Sequence, residues 1–354
     1  MVDLTRMLNR FTARKTAIAG GVLACLWLLI NPQVSLSGGM NAERAAWKAK
    51  YHRPAEIPFP SDNPYSESKA DLGRTLFWDP LLSRSRTLSC ASCHNPGLSW
   101  SDGLPHAIGD NKTALSLRTP TLLNVAWTPQ LGWTGHFSSL ESVTFGPITS
   151  SGNMNLPKEV LVKRLSAIPG YRSAFQKAFG EKAITAHKIE LALATYERSI
   201  VSGTAPFDRW IGGDQAAISE AAKRGFDLFN GKAHCASCHE GWAFTDSSFH
   251  DVGVAKGDDI GRGKLFPTSE TLRYAFKTPT LRDVARRGPY MHDGSVPTLE
   301  KVIDLYDRGG IDRPSRADGI KPLHLSDQEK SDLIAFLKTL TAAPQQVSAP
   351  VLPR

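Results

Sequence analysis

The chain has 354 residues, of which 41% are hydrophobic, with 42 Lys and Arg against 34 Asp and Glu. That length and apolar content support more than one sizeable core and exclude a disordered or fibrous protein. The formal charge of +8 includes no Lys/Arg run interleaved with aromatics, so nucleic-acid binding is not expected; mild basicity suits an acidic partner surface.

From the N-terminus, Arg10, Arg14 and Lys15 precede the apolar run AIAGGVLACLWLLI, which is followed by NPQVSLSGG. The run is short for a membrane span and ends in small residues and breakers, so residues 1–38 read as a signal peptide for export to the periplasm, with an uncleaved anchor as the alternative. Cys25 goes with this segment and four cysteines remain. About 310 residues after cleavage predict two domains, residues 39–213 and 214–354.

The sequence CASCH occurs twice, as Cys90, Cys93 and His94 and as Cys235, Cys238 and His239. Cys-x-x-Cys-His is the attachment pattern for c-type haem: two thiols add to the two vinyl groups and the adjacent imidazole binds iron. A zinc site would need both pairs converging on one tetrahedral metal and would leave a redundant His after each, and a redox dithiol needs no such His. Two covalent haems therefore account for all four cysteines.

The surroundings of the two motifs repeat. LGRTLF (72–77) precedes the first and RGFDLF (224–229) the second; TPTLLNVA (119–126) lies over TPTLRDVA (278–285) at an offset of 159, and LESV (140–143) over LEKV (299–302) at the same offset. A shared offset without gaps implies two homologous haem domains. Helical patterns appear in KEVLVKRL, TAHKIELALATYERSI and EAAKRGFDLF, and SDQEKSDLIAFLKTL opens on a capping box, Ser326 with Glu329. The fold class predicted is mainly α: two cytochrome c-like haem domains related by an internal repeat. His187 reads as a surface or packing residue, and APFDRWIGGDQAAIS as the linker between domains.

Each haem has a proximal His, so function turns on the opposite face. In TLEKVIDLYDRGG, Thr298 is the expected N-cap and Gly309-Gly310 the stop; Leu299, Val302, Ile303 and Tyr306 share one apolar face. A buried phenol needs a partner, either a backbone carbonyl or the haem iron. Position 306 maps through the offset to Pro147, which has no ligating atom. If Tyr306 caps the second iron, the first iron is open.

With the GPYMHDGS stretch (288–295), these features resemble the bacterial di-haem cytochrome c peroxidases, and among them the MauG-like branch, across essentially the whole mature chain. The resemblance implies an enzyme that uses hydrogen peroxide to oxidise tryptophan in an exported partner protein through a bis-ferryl state. The alternative is a di-haem peroxidase taking electrons from a small redox protein, and a third class is a plain electron carrier. A subgroup acting on copper-binding proteins, MbnH-like, is also implied by the GWTG and WSDG elements. The family's inter-haem relay corresponds to Trp133, in GWTG. Asp110 stands where peroxidases carry a resting-state His ligand, with His106 four residues earlier. The family's distal Glu falls at Asn153, which can donate a hydrogen bond but cannot shuttle a proton; Glu141 reads as a structural helix position. The family's calcium site between domains is disfavoured, because Arg118 and Arg287 stand where two of its ligands belong.

Overall fold

The protein is described by a computed structural model covering residues 42–354, so the proposed signal peptide lies outside the described residues. Residues 42–50 belong to a separate N-terminal unit that includes a short helix; the rest of this account concerns the unit Tyr51–Arg354. Among the described residues no helix is long and apolar enough to cross a membrane.

The first half contains α1 (Glu67–Trp78), α2 (Cys90–Cys93), α3 (Leu140–Val143), α4 (Phe145–Thr149), α5 (Lys158–Ser166), α6 (Pro169–Phe179) and α7 (Ala186–Arg198). The second contains α8 (Pro206–Ile211), α9 (Glu220–Asn230), α10 (Leu299–Arg308) and α11 (Asp327–Thr339). Ser66, Thr185, Ser219, Thr298 and Ser326 cap their helices by accepting a backbone N–H three residues on, and Ser326 with Glu329 completes the expected capping box. A two-residue antiparallel ladder, β1 (Phe249–His250) with β2 (Phe276–Lys277), is set between them.

Each half rests on one close helix crossing, α1 on α7 and α9 on α11. Glycine permits both: a Cβ on Gly73 would overlap the carbonyl of Ala192, and one on Gly225 the carbonyl of Asp332. Around the first crossing Leu76, Phe77, Leu161, Tyr171, Phe175 and Ile189 are fully buried. Around the second, Phe207, Phe226, Phe229, Phe244 and Phe336 pack as an aromatic cluster with ring centroids 5.1–6.1 Å apart. The segment read as a linker is partly core: Phe207 and Trp210, three residues apart on α8, are buried against Phe226. Their helical spacing outweighed the Gly and Pro punctuation that suggested an open connection.

The offset of 159 persists in three dimensions. Asn124 and Asp283 both adopt the left-handed conformation, with φ of 62° and 56°, ahead of matching 3₁₀ turns. Leu131 pairs with Phe137 as Tyr290 pairs with Val296. The hydroxyls of Thr121 and Thr280 donate to the carbonyls of Ser99 and Ala243. One element differs. Thr298 opens an unbroken ten-residue helix, α10, whereas its counterpart Ser139 opens a helix that splits into α3 and α4. Pro147 lies within α4 and has no N–H to offer the carbonyl of Val143.

Candidate haem sites

Both CASCH motifs open onto one cavity of about 1000 Å³, at the upper end of the roughly 300–1,000 Å³ usual for a single small-molecule site. Cys90, Cys93, His94, Cys235, Cys238, His239, Tyr306, Trp133, Pro147 and Asn153 all line it. The four cysteines are unpaired. Burial pushes the Cys90 thiol up, that of Cys93 to about 11 and that of Cys235 to about 12. Such thiols are neutral at physiological pH, unlike the low-pKa thiol of a redox dithiol. Among the described residues, the group with metal-site spacing is Cys238, Asp246 and His250; it shares its sulfur with the second motif, and Asp246 is already bound to His250 at 2.7 Å.

The two histidines are prepared alike. His94 Nδ1–H donates to the carbonyl of Trp100 at 3.2 Å and His239 Nδ1–H to that of Phe244 at 2.9 Å. This fixes the tautomer and leaves each Nε2 as a lone-pair donor. Burial lowers both imidazole pKa values, so both rings stay neutral. Four thiols in two pairs, two imidazoles with Nε2 unengaged and a mostly apolar wall fit two thioether-linked haems.

Away from the two histidines the cavity lining differs between the halves. Tyr306, on the cavity face of α10, has no hydrogen-bond partner for its hydroxyl among the described residues. A carbonyl partner, the ordinary fate of a buried phenol, is therefore absent, and burial together with Cys235 and Cys238 raises its pKa. At the matching place in the first half stand Pro147, within α4, and Asn153 and Met154 in the loop after it, with Met154 N–H donating to the Pro147 carbonyl at 3.1 Å.

Trp133 lies between the halves. Its Nε1–H donates to the carbonyl of Arg118 at 2.9 Å, its own carbonyl accepts from Lys277 N–H at 2.8 Å, and its ring meets His292 edge-on at 6.4 Å. Asp110 is placed differently from the sequence expectation: it is buried, its N–H bonds the Asn153 carbonyl at 2.5 Å, and it is not among the cavity-lining residues. It braces the distal loop from behind. His106 is exposed and does not line the cavity either.

The structure adds a residue that sequence reasoning passed over. Glu197, near the end of α7, is the one cavity-lining carboxyl of the described first half. Burial, opposed by Arg198 and reinforced by Glu141, raises its pKa to about 8. In sequence it is an ordinary charge in TYERSI; only the matching helix crossings, Gly73 on Ala192 and Tyr196 and Gly225 on Asp332 and Phe336, place it at the position of apolar Leu337 in the second half. Trp127 and Trp242, one from each half, also meet at the cavity wall with ring centroids 4.7 Å apart.

Residues 67–216 match the family described as di-haem cytochrome c peroxidase, and residues 222–341 the family described as cytochrome c. A methylamine utilization protein MauG from Methylorubrum extorquens is 52% identical over 311 residues, covering 87% of this chain and 88% of that protein. The chain belongs to the di-haem cytochrome c peroxidase and MauG family. The corresponding protein of Methylophilus methylotrophus is 44% identical over 92% of this chain and all of its own length. A crystal structure of a MauG-like protein associated with microbial copper homeostasis superposes with a TM-score of 0.77 at 32% identity, over 82% of this chain and 94% of that one. The family carries two c-type haems, and this chain is a di-haem peroxidase-type oxidoreductase with two cytochrome c-type domains.

Proposed function

We propose that this chain uses hydrogen peroxide to oxidise tryptophan in a separate exported protein. The observation that carries the reading is the contrast between a cavity-facing phenol without a protein partner, Tyr306, and the proline at the equivalent place in the first half, Pro147. His94 and His239 would hold the two irons through Nε2, and Cys90, Cys93, Cys235 and Cys238 would hold the macrocycles. Tyr306 would be the protein ligand available to the second iron, and a phenolate there would favour high oxidation states. When bound, the haems would supply the redox chemistry toward peroxide, with no protein ligand offered by Pro147 to the first.

The chain's own groups do the rest. Asn153 offers a hydrogen-bond donor at the cavity wall, and Asp110 holds the Asn153 loop through its carbonyl. Glu197 keeps its carboxyl proton at neutral pH and is the cavity-lining group of the first half able to give one up. Trp133 serves as the relay between halves, its Nε1 proton held on the Arg118 carbonyl. Pro147, Asn153 and Met154 leave room at the distal side for a small oxidant, so a protein substrate reacts at a distance by electron transfer.

A partner belonging to methylamine utilization is the reading supported by the likeness to proteins of that name, at 52% and 44% identity, beside 32% to the protein associated with copper homeostasis. The test is mass spectrometry. The haem-loaded protein, peroxide and exported proteins of methylamine utilization are mixed, and a gain of oxygen or loss of hydrogen at a tryptophan of one of them is expected. Fast turnover with a reduced small cytochrome, and no mass change in any partner, would establish the peroxidase alternative.

A further inference from the structure

Of the basic side chains that line the cavity, Arg118, Lys277 and Arg287 are buried or half-buried with no ion-pair partner among the described residues, while Lys321 is exposed to solvent. Arg118 and Arg287 are only 7% and 8% exposed. Arg118 donates to neutral oxygens, the Ser101 hydroxyl at 3.3 Å and the Arg287 carbonyl at 2.8 Å; Arg287 donates to the Thr280 carbonyl, and the Nε atoms of both are buried without a partner. The neighbouring carboxylates are engaged elsewhere. Asp102 accepts from Thr119 and from Leu104 N–H, and Asp283 accepts from Ser99 and from Ala342 N–H.

The placement is systematic. Arg118 and Lys277 are 159 residues apart and each immediately precedes a TPT segment, so the repeat supplies one cation per half, and Arg287 adds a third. Burial, with mutual repulsion, pushes Arg287 down to about 10 and Lys277 to about 8. Cations held together in an apolar cavity are stable only beside anions. The anions that belong to this cavity are the carboxylates of its cofactors, two on each haem.

We propose that Arg118, Lys277 and Arg287 anchor the haem carboxylates and are the fixed positive charge between the halves, so that the protein takes no divalent cation there. This rests on the two-haem assignment, which the same experiment checks separately: the pyridine haemochrome must report two haems per chain before the remaining results apply. Metal analysis of the gel-filtered haem-loaded protein should show no stoichiometric calcium, and EGTA should leave its optical spectrum and both midpoint potentials unchanged. In Arg118→Gln, Lys277→Gln and Arg287→Gln the potential of at least one haem should fall, because a nearby cation favours the ferrous form. That potential should also become pH-dependent as the freed carboxylate takes up a proton. Arg118→Lys and Arg287→Lys should recover most of the shift and guard against a Gln variant that fails to load haem. One calcium per chain, a shift on adding EGTA, or Gln variants with unchanged potentials would overturn the proposal.

Discussion

Glu141→Gln should destabilise the haem-loaded protein at neutral pH and do so less as the pH falls. Glu141, on α3, accepts from Arg198 at 2.6 and 2.8 Å and from Asn63 at 2.8 Å, tying the segment that leads to Pro147 onto α7. Burial opposes its ionisation, but the bonds from Arg198 and Asn63 outweigh burial and hold the carboxyl at about 2, against 4.5 when free. That gap is worth about 3 kcal/mol, and solvent screening of a half-buried group reduces it to about 2 kcal/mol. Since the folded pKa is depressed, the stabilisation is fully present above about 4.5 and is lost as the pH falls through about 2. The glutamine also leaves Arg198, with its side chain 8% exposed, without its counter-charge, so the loss at pH 7 should be about 2–4 kcal/mol. Urea unfolding followed by far-UV circular dichroism should show the two proteins separated at pH 7 and converging between pH 4.5 and pH 2. A difference independent of pH would refute the assignment of the low pKa to this ion pair.

Electron paramagnetic resonance of the ferric protein should show one high-spin and one low-spin iron, and Tyr306→Phe should abolish the low-spin signal; its survival unchanged would make Tyr306 an ordinary buried phenol. Two low-spin irons in the unmodified protein would instead mean that Met154 closes the first haem. Trp133→Phe should retain two haems by pyridine haemochrome while uncoupling the irons, so that peroxide no longer alters the spectrum of both together. The rate of the stopped-flow reaction with peroxide should fall as the pH rises through about 8, where Glu197 gives up its proton, and Glu197→Gln should lower the rate at pH 7 roughly 10²-fold and flatten that limb. Cys93→Ser or Cys238→Ser should leave about one haem per chain on haem-stained denaturing gels.

Much of this was legible because haem chemistry constrains local sequence tightly. CASCH carries ligand and attachment within five residues, the expected cap at Thr298 is present, and the segments aligned by the 159-residue offset share a turn at Asn124 and Asp283. What escaped was long-range. Phe207 and Trp210 look like part of a breaker-rich connection until the aromatic cluster that receives them is known. Asp110 was aligned to a ligand position, but it is buried away from the cavity lining, with its N–H on the Asn153 carbonyl. Glu197 carries no motif, and only the fold reveals that its carboxyl meets a cavity rather than solvent.

The repeat also explains how one scaffold produces two different irons with few changes. Backbone turns, proximal bonds and helix crossings are duplicated, so each half independently builds the same thioether and imidazole arrangement. At the faces away from the histidines the halves differ in Pro147 against Tyr306, and in a helix divided into α3 and α4 where α10 is continuous. A proline inside α4 is tolerable because that helix spans five residues and is already broken at Thr144. In α10, whose ten residues run uninterrupted from the Thr298 cap to Gly309, a proline at position 306 would remove a helix bond and force the turn apart. The unbroken helix carries Tyr306 to the cavity, whereas the divided one presents Pro147, which lines the same cavity without a ligating atom. Introducing tyrosine at Pro147 alone should therefore leave the first iron high-spin, since the five-residue helix does not reproduce the geometry that α10 provides.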